Sequence, residues 1–392
     1  MGGSERFSFI SFYWVFYVSR GFASLIIPLY FVSAGVPILG VGVAIGVWGV
    51  SLLFFEILWG VVLDRMGSGR LILTAVALTA LTYSLVPFVK SSEGAVVTEF
   101  VLGASGPILS VVARSGVVRG RESLGWVSGF GLLGAVYSIA QVTGSILGSL
   151  SNASFGFVYS FYVAAGISVV SYAVYLRPGG GEPPAADQVL RRNPSEDEPR
   201  PPLDWRGLPM MCLVAVPTFI GFTFFTNIIQ LVVTQAPSIH GTDFDAGIVV
   251  SSFWLSTAIF QLLLSRMAVS NVRWWIGVAL VASFGVFALM TQFASVWEIA
   301  AGAFLAGACF SVISPLSLSL LMVGIPKRYT GRAMGIYGAA EDIGVILGPV
   351  VGSAVWVEFG LTPAYLTLGA TYLAVFVPFT LAARRAPENV NR

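Results

Sequence analysis

Residues Gly60–Arg70 read GVVLDRMGSGR. An Asp-Arg pair and three glycines stand here at the end of a long apolar segment, which is the chemistry a chain needs where it leaves a bilayer. The flanking sequence has the matching composition. Of 392 residues, 56% are hydrophobic and 10% charged, and the mean hydropathy is +0.85. That excludes a water-soluble domain and predicts a polytopic membrane protein. A helix needs about 20 apolar residues to cross the hydrocarbon core. Runs of that length recur near 9–33, 40–63, 70–89, 94–113, 125–149, 156–176, 209–235, 246–265, 274–292, 297–322, 332–356 and 362–383. The expected fold is therefore all-α with twelve transmembrane helices. The runs are too long, and alternate too little, for a β-barrel. The first is also too long for a removable signal.

Orientation follows from the basic residues. Of the 21 Lys plus Arg, only Arg20, inside the first span, and Lys90, between the third and fourth, fall outside the segments that alternate to one side. The positive-inside rule puts that side, and both termini, in the cytoplasm. A net charge of +2 thus conceals a polarised molecule whose basic face meets anionic lipid headgroups, with no nucleic-acid partner implied. The Pro- and Gly-rich segment 177–207 reads as a cytoplasmic linker between a six-helix block at 1–176 and another at 208–392. Cys212 and Cys309 fall inside spans as small apolar residues.

The two blocks repeat each other at a shift of about 200 residues. Gly131, Tyr137, Gly144 and Gly148 fall on Gly331, Tyr337, Gly344 and Gly348, and Gln141 falls on Glu341. Phe100-x-x-Gly103 resembles Phe304-x-x-Gly307, and Leu63-Asp64-Arg65-Met66 resembles Leu264-Ser265-Arg266-Met267. On these features the chain resembles a major facilitator superfamily transporter over essentially its whole length, of the kind that exports drugs or metabolites. Gly60-x-x-x-Asp64-Arg65-x-Gly67-x-Gly69-Arg70 is similar to that family's signature between spans two and three. It departs in carrying Ser68 and Gly69 where members have more basic residues. The resemblance implies that Asp64 and Arg70 stabilise the form closed to the cytoplasm. By charge and position, Asp64 can pair with Arg65, Arg70 or Arg114, so Gly60, Asp64, Arg65, Gly67, Arg70 and Arg114 form the expected latch. Turn chemistry alone would also account for the glycines.

Ionisable groups inside the spans are the candidate site. Arg20 lies mid-span, where an unpaired Arg costs at least about 2.5–3.5 kcal/mol, so it should face a cavity or a carboxylate. Glu56, two turns before Asp64, is a candidate partner. Glu341 and Asp342 lie near the midplane of span eleven. Being adjacent, they diverge by about 100°, so one points into the cavity and the other to a seam or neighbouring helix. Either is a candidate proton carrier. Asn227 and Gln230, three apart in span seven, share a helical face, and Gln141 lies in span five. Glu99 reads as a solvated helix end, and the aromatics of spans one and seven read mostly as packing. Asn152-Ala153-Ser154 fits a glycosylation acceptor in a short external turn.

No phosphate loop, metal-spaced His/Cys cluster or catalytic triad is present, so no cofactor, no metal and no enzymatic activity are expected. The expected function is secondary transport of a small organic solute by a monomer in the plasma membrane, coupled to protons and directed outward. The alternatives are uptake or exchange of an organic anion or phosphorylated solute at Arg20, and a transporter-like receptor that binds without flux.

Overall fold

The computed structural model describes residues 3–66, 68–119, 126–176, 207–267, 271–323 and 330–385. All regular structure among them is helical. We number the helices α1 (Gly3–Ser33), α2 (Ile38–Met66), α3 (Ser68–Leu85) and α4 (Ser92–Arg119). The stretch Trp126–Tyr175 is divided at Gly156, whose φ of 75° is in the left-handed region glycine tolerates. It therefore comprises two helices, α5 (126–155) and α6 (157–175). Next come α7 (207–235), α8 (Asp243–Arg266), α9 (Val272–Met290), α10 (Val296–Val323), α11 (Thr330–Phe359) and α12 (Leu361–Arg385). Among the described residues, ten stretches are long and apolar enough to cross a membrane, and one of these, Leu132–Tyr175, is the α5–α6 pair. With the 28-residue α4, this gives the twelve spans read from the sequence.

The helices alternate in direction. One end of the bundle carries the α2–α3, α4–α5, α8–α9 and α10–α11 connections, and we call it the basic end. The other carries the α1–α2, α3–α4, α5–α6, α7–α8, α9–α10 and α11–α12 connections, and we call it the distal end.

Lipid tails are as apolar as leucine, so helices in a bilayer associate through close packing and hydrogen bonds rather than the hydrophobic effect. Small residues supply the closeness here. A Cβ on Gly144 of α5 would collide with the Val18 carbonyl of α1, and one on Gly148 would lie 2.7 Å from the Phe22 carbonyl. In the second block Gly344 of α11 presses in the same way on the Val216 carbonyl of α7, and Gly348 comes within 2.6 Å of the Ile220 carbonyl. The two contacts are the same contact made twice. Likewise α2 packs on α4 and α8 on α10, each pair tied by a side chain reaching the partner backbone: Ser51 donates to Phe100 O at 2.7 Å, and Ser311 to Thr257 O at 3.2 Å.

Two seams join the blocks, α2 against α11 and α5 against α8. Adding six to the helix numbers of the first seam gives the second. Toward the distal end both are tight. Gly42, Gly46 and Gly49 of α2 leave no room for a Cβ beside Ser353, Val350 and Ile346 of α11. On the other seam, the Asn152 amide of α5 donates to Asp243 of α8 at 2.7 Å. Asn152 is only 8% exposed, so the residue whose sequence fits a glycosylation acceptor serves as an interhelical hydrogen-bond donor.

Candidate functional site

Between the seams, toward the basic end, lies a cavity of about 320 Å³ lined by residues of both blocks. Its wall is a chain of aromatic rings. Tyr13 and Tyr17 of α1 have centroids 4.5 Å apart, and Tyr17 meets Tyr137 of α5 at 4.6 Å. Tyr137 crosses the seam to Trp254 of α8 at 5.2 Å, and Trp254 meets Phe222 of α7 at 5.5 Å. Phe222 then stacks on Phe310 of α10 at 4.9 Å. Most edges are tilted or T-shaped, the geometry that the ring quadrupole favours. Tyr13, Tyr17 and Phe222, read from the sequence as packing, are thus part of the wall, and their role becomes visible only when five helices are brought together.

The charged groups sit within this wall. Arg20, Glu56, Glu341 and Asp342 all line the cavity. Arg20 lies against Gly106 of α4, where an added Cβ would be 3.3 Å from Nη1 and Nη2, and its Nη1 is buried without a hydrogen-bond partner. The Glu56 carboxylate comes within 3.3 Å of the Cβ position at Gly338 of α11, so it bridges the α2–α11 seam. The acidic pair on α11 divides between two faces. Gly338, Asp342 and Ile346 follow the stripe turned to α2, whereas Gly344 and Gly348, in register with Glu341, face α7. Asp342 is 7% exposed. Both nevertheless reach the cavity wall.

A smaller chamber of about 70 Å³ continues from Arg20 toward the distal end. Arg20, Trp48, Tyr137, Phe222 and Trp254 belong to both compartments and form the partition. Beyond it lie Tyr83, Gln141, Asn227 and Glu99. Glu99 is 7% exposed, which corrects its reading as a solvated helix end. Depth along a helix can be counted from the sequence, but the face cannot, and this face of α4 looks inward at α1 and α3.

Asn227 and Gln230 make different contacts. A π-helical turn, Phe224–Ile228, includes Asn227 and shifts the register of α7 ahead of Gln230. Asn227 lines the small chamber, while Gln230, 0% exposed, donates to Ser24 O of α1 at 3.0 Å and reaches neither compartment. Gln230 is therefore a tie between the blocks rather than a cavity residue. Gln141 lines the chamber, and its Oε1 packs beside Gly21. Arg70 is exposed at the start of α3. The side chains of Asp64, Arg65 and Arg114, the burial of Gly60 within α2, and the residue Gly67 lie outside what the structure describes. Sequence reasoning missed Trp48, Trp254, Gln261 and Phe310, all of which line the cavity. The only sequence signal for them was a bulky or polar residue in an apolar run.

Comparison with known proteins agrees with this architecture. The sequence matches the Major Facilitator Superfamily model over residues 9–239 and 211–392. It is 23% identical to the inner membrane transport protein YajR of Escherichia coli K12 over 365 residues, 88% of this chain and 76% of that protein. The fold is similar to that of the human organic anion transporter MFSD10, with a TM-score of 0.72 and 15% identity over 96% of this chain and 99% of that one. It is also similar to that of the nucleoside transporter NupG, with a TM-score of 0.71 and 16% identity over 98% of this chain and 100% of that one. With two six-helix blocks packed by the same contacts around a shared cavity, the chain belongs to the Major Facilitator Superfamily and is a multi-pass membrane protein, a secondary transporter of a small molecule.

Proposed function

We propose that the protein exports a small, planar, cationic or neutral organic compound across the plasma membrane in exchange for protons, its blocks 1–176 and 208–392 rocking about the partition at Arg20. The observation that carries this reading is an aromatic-walled cavity whose described lining residues include three carboxyl groups, Glu56, Glu341 and Asp342, and the Arg20 guanidinium. Aromatic faces hold flat and cationic ligands by stacking and cation–π attraction. A carboxylate accepts a proton or attracts a cation, so the two ligands compete, and competition within an alternating site is antiport. The basic end faces the cytoplasm by the positive-inside rule, so the cavity loads from the cytoplasm while the distal seams are shut. Asp64, Arg65, Arg70 and Arg114 latch the basic end when the cycle reverses.

The test uses purified protein in proteoliposomes with ethidium as the aromatic cation and an imposed pH gradient. Ethidium moves against its gradient when protons flow the other way. The Glu341→Gln/Asp342→Asn variant retains downhill flux and responds less to pH. Flux indifferent to the gradient in the wild-type protein overturns the proton coupling, and binding without accumulation in sealed vesicles makes the protein a receptor. A second reading, exchange of an organic anion, draws on Arg20 Nη1, which has no hydrogen-bond partner and suits a carboxylate or phosphate. Benzoate uptake abolished by Arg20→Ala, with ethidium flux spared, favours it.

A further inference from the structure

We propose that Glu99 is a second proton-binding site of the transport cycle, set apart from the substrate cavity and sensed there through Arg20. This inference rests on the proton-coupled reading above but places a proton where that reading puts none.

The argument is one of compartments. Glu56, Glu341 and Asp342 line only the large cavity, Glu99 lines only the small chamber, and Arg20 alone among these charged groups lines both. Glu99 projects from α4 and is buried. The titratable groups around it are Arg20 from α1, Tyr83 from α3 and Tyr137 from α5, and α2, α7 and α8 contribute Trp48, Asn227 and Trp254. Among the described lining residues, Arg20 is the chamber's cation and Glu99 its acid. Both line the same chamber of about 70 Å³.

A buried cation responds to its nearest acid. With Glu99 ionised, the field of Arg20 is largely cancelled, and the cavity on the other side of the partition is governed by its own three acids. With Glu99 protonated, Arg20 loses its counter-charge in the small chamber and opposes a cationic ligand in the cavity more strongly. The proton and the cation therefore exclude each other without sharing a carboxyl group, which is the linkage an exchanger needs. The chamber lies on the distal side of the partition, so Glu99 trades its proton with that side when the α2–α11 and α5–α8 seams part. Arg20 holds its place between the compartments because Gly106 leaves space for the guanidinium.

The deciding measurement is infrared titration of the carboxyl C=O stretch in full-length protein in lipid nanodiscs. A titrating band is expected in the wild type and in Glu341→Gln/Asp342→Asn, and is absent in Glu99→Gln. Its midpoint moves by about one pH unit or more in Arg20→Met, the size expected for one charge at an effective dielectric constant near 20. Gly106→Ala, which crowds the guanidinium without removing its charge, moves the same band by less and serves if Glu99→Gln does not fold. Ethidium binds about tenfold more weakly to Glu99→Gln than to wild type at a pH above the midpoint of that band, and equally below it. A band unchanged in Glu99→Gln, or a midpoint unmoved by Arg20→Met, overturns the proposal. Failure of a pH gradient to drive ethidium overturns the export reading instead, and the infrared result still decides the fate of Glu99.

Discussion

A single methyl group probes the closest contacts in the molecule. At Gly144 and Gly344 an added Cβ meets the backbone of the facing helix, which cannot swing aside as a side chain would. Gly144→Ala and Gly344→Ala are each expected to cost about 1–3 kcal/mol, the usual range for overpacking, and to lower the melting temperature in detergent. Gly166→Ala on α6, where an added Cβ meets nothing within 4 Å, is the control and does not lower it, because alanine is the better helix former. A loss at Gly166 equal to the other two would mean that contact with the facing backbone does not decide the effect. These glycines were legible in the sequence because they recur in both blocks with the same spacing, and a spacing of four residues on a helix is a face. Glu99 was not legible. Its neighbours on the chain suggest a helix end, and only the rotation of α4 about its own axis turns it toward Arg20 rather than lipid or solvent.

At the scale of helices, the distal closure combines two kinds of contact. The α2–α11 seam closes by shape, through Gly42, Gly46 and Gly49, and the α5–α8 seam by the hydrogen bond from Asn152 to Asp243. A hydrogen bond to a charged group contributes about 1.5–3 kcal/mol, enough to shift a conformational equilibrium roughly tenfold or more. Asn152→Ala should therefore raise the population open at the distal end. With Cys212 and Cys309 replaced and a cysteine introduced at Thr226 in the small chamber, that shift appears as faster labelling by a membrane-impermeant thiol reagent. Labelling no faster than in the parent would show that the glycine seam closes the end alone. The helix count and order were read from apolar length, a property each segment carries by itself. The π-turn of α7 was not, because Phe224–Ile228 contains neither proline nor glycine and the residue types do not announce the change of backbone register.

At the scale of the molecule, the seams are exchanged by the same six-helix shift that maps one block on the other, so the contacts closing the distal end have counterparts able to close the basic end. Alternating access then requires the distal seams to part in every turnover, while contacts inside each block persist. A cross-link distinguishes the two. Gly46 and Val350 approach closely across the α2–α11 seam, with the Val350 Cγ2 2.5 Å from the Cβ position of Gly46, so Gly46→Cys/Val350→Cys places two thiols within bridging range. Ser19 and Ala164 are joined within the first block by a 2.9 Å hydrogen bond from α1 to α6, and Ser19→Cys/Ala164→Cys is the matched internal pair. In a background without Cys212 and Cys309, oxidation of the first pair is expected to reduce transport by at least tenfold and reduction to restore it, whereas the second pair, once cross-linked, keeps its flux. Because a seam disulfide holds the distal end shut without touching the cavity, ethidium binding from the basic end survives in the locked protein. A locked Gly46/Val350 protein that still turns over would mean the blocks do not rock about this seam, and the pathway would have to open within a block instead.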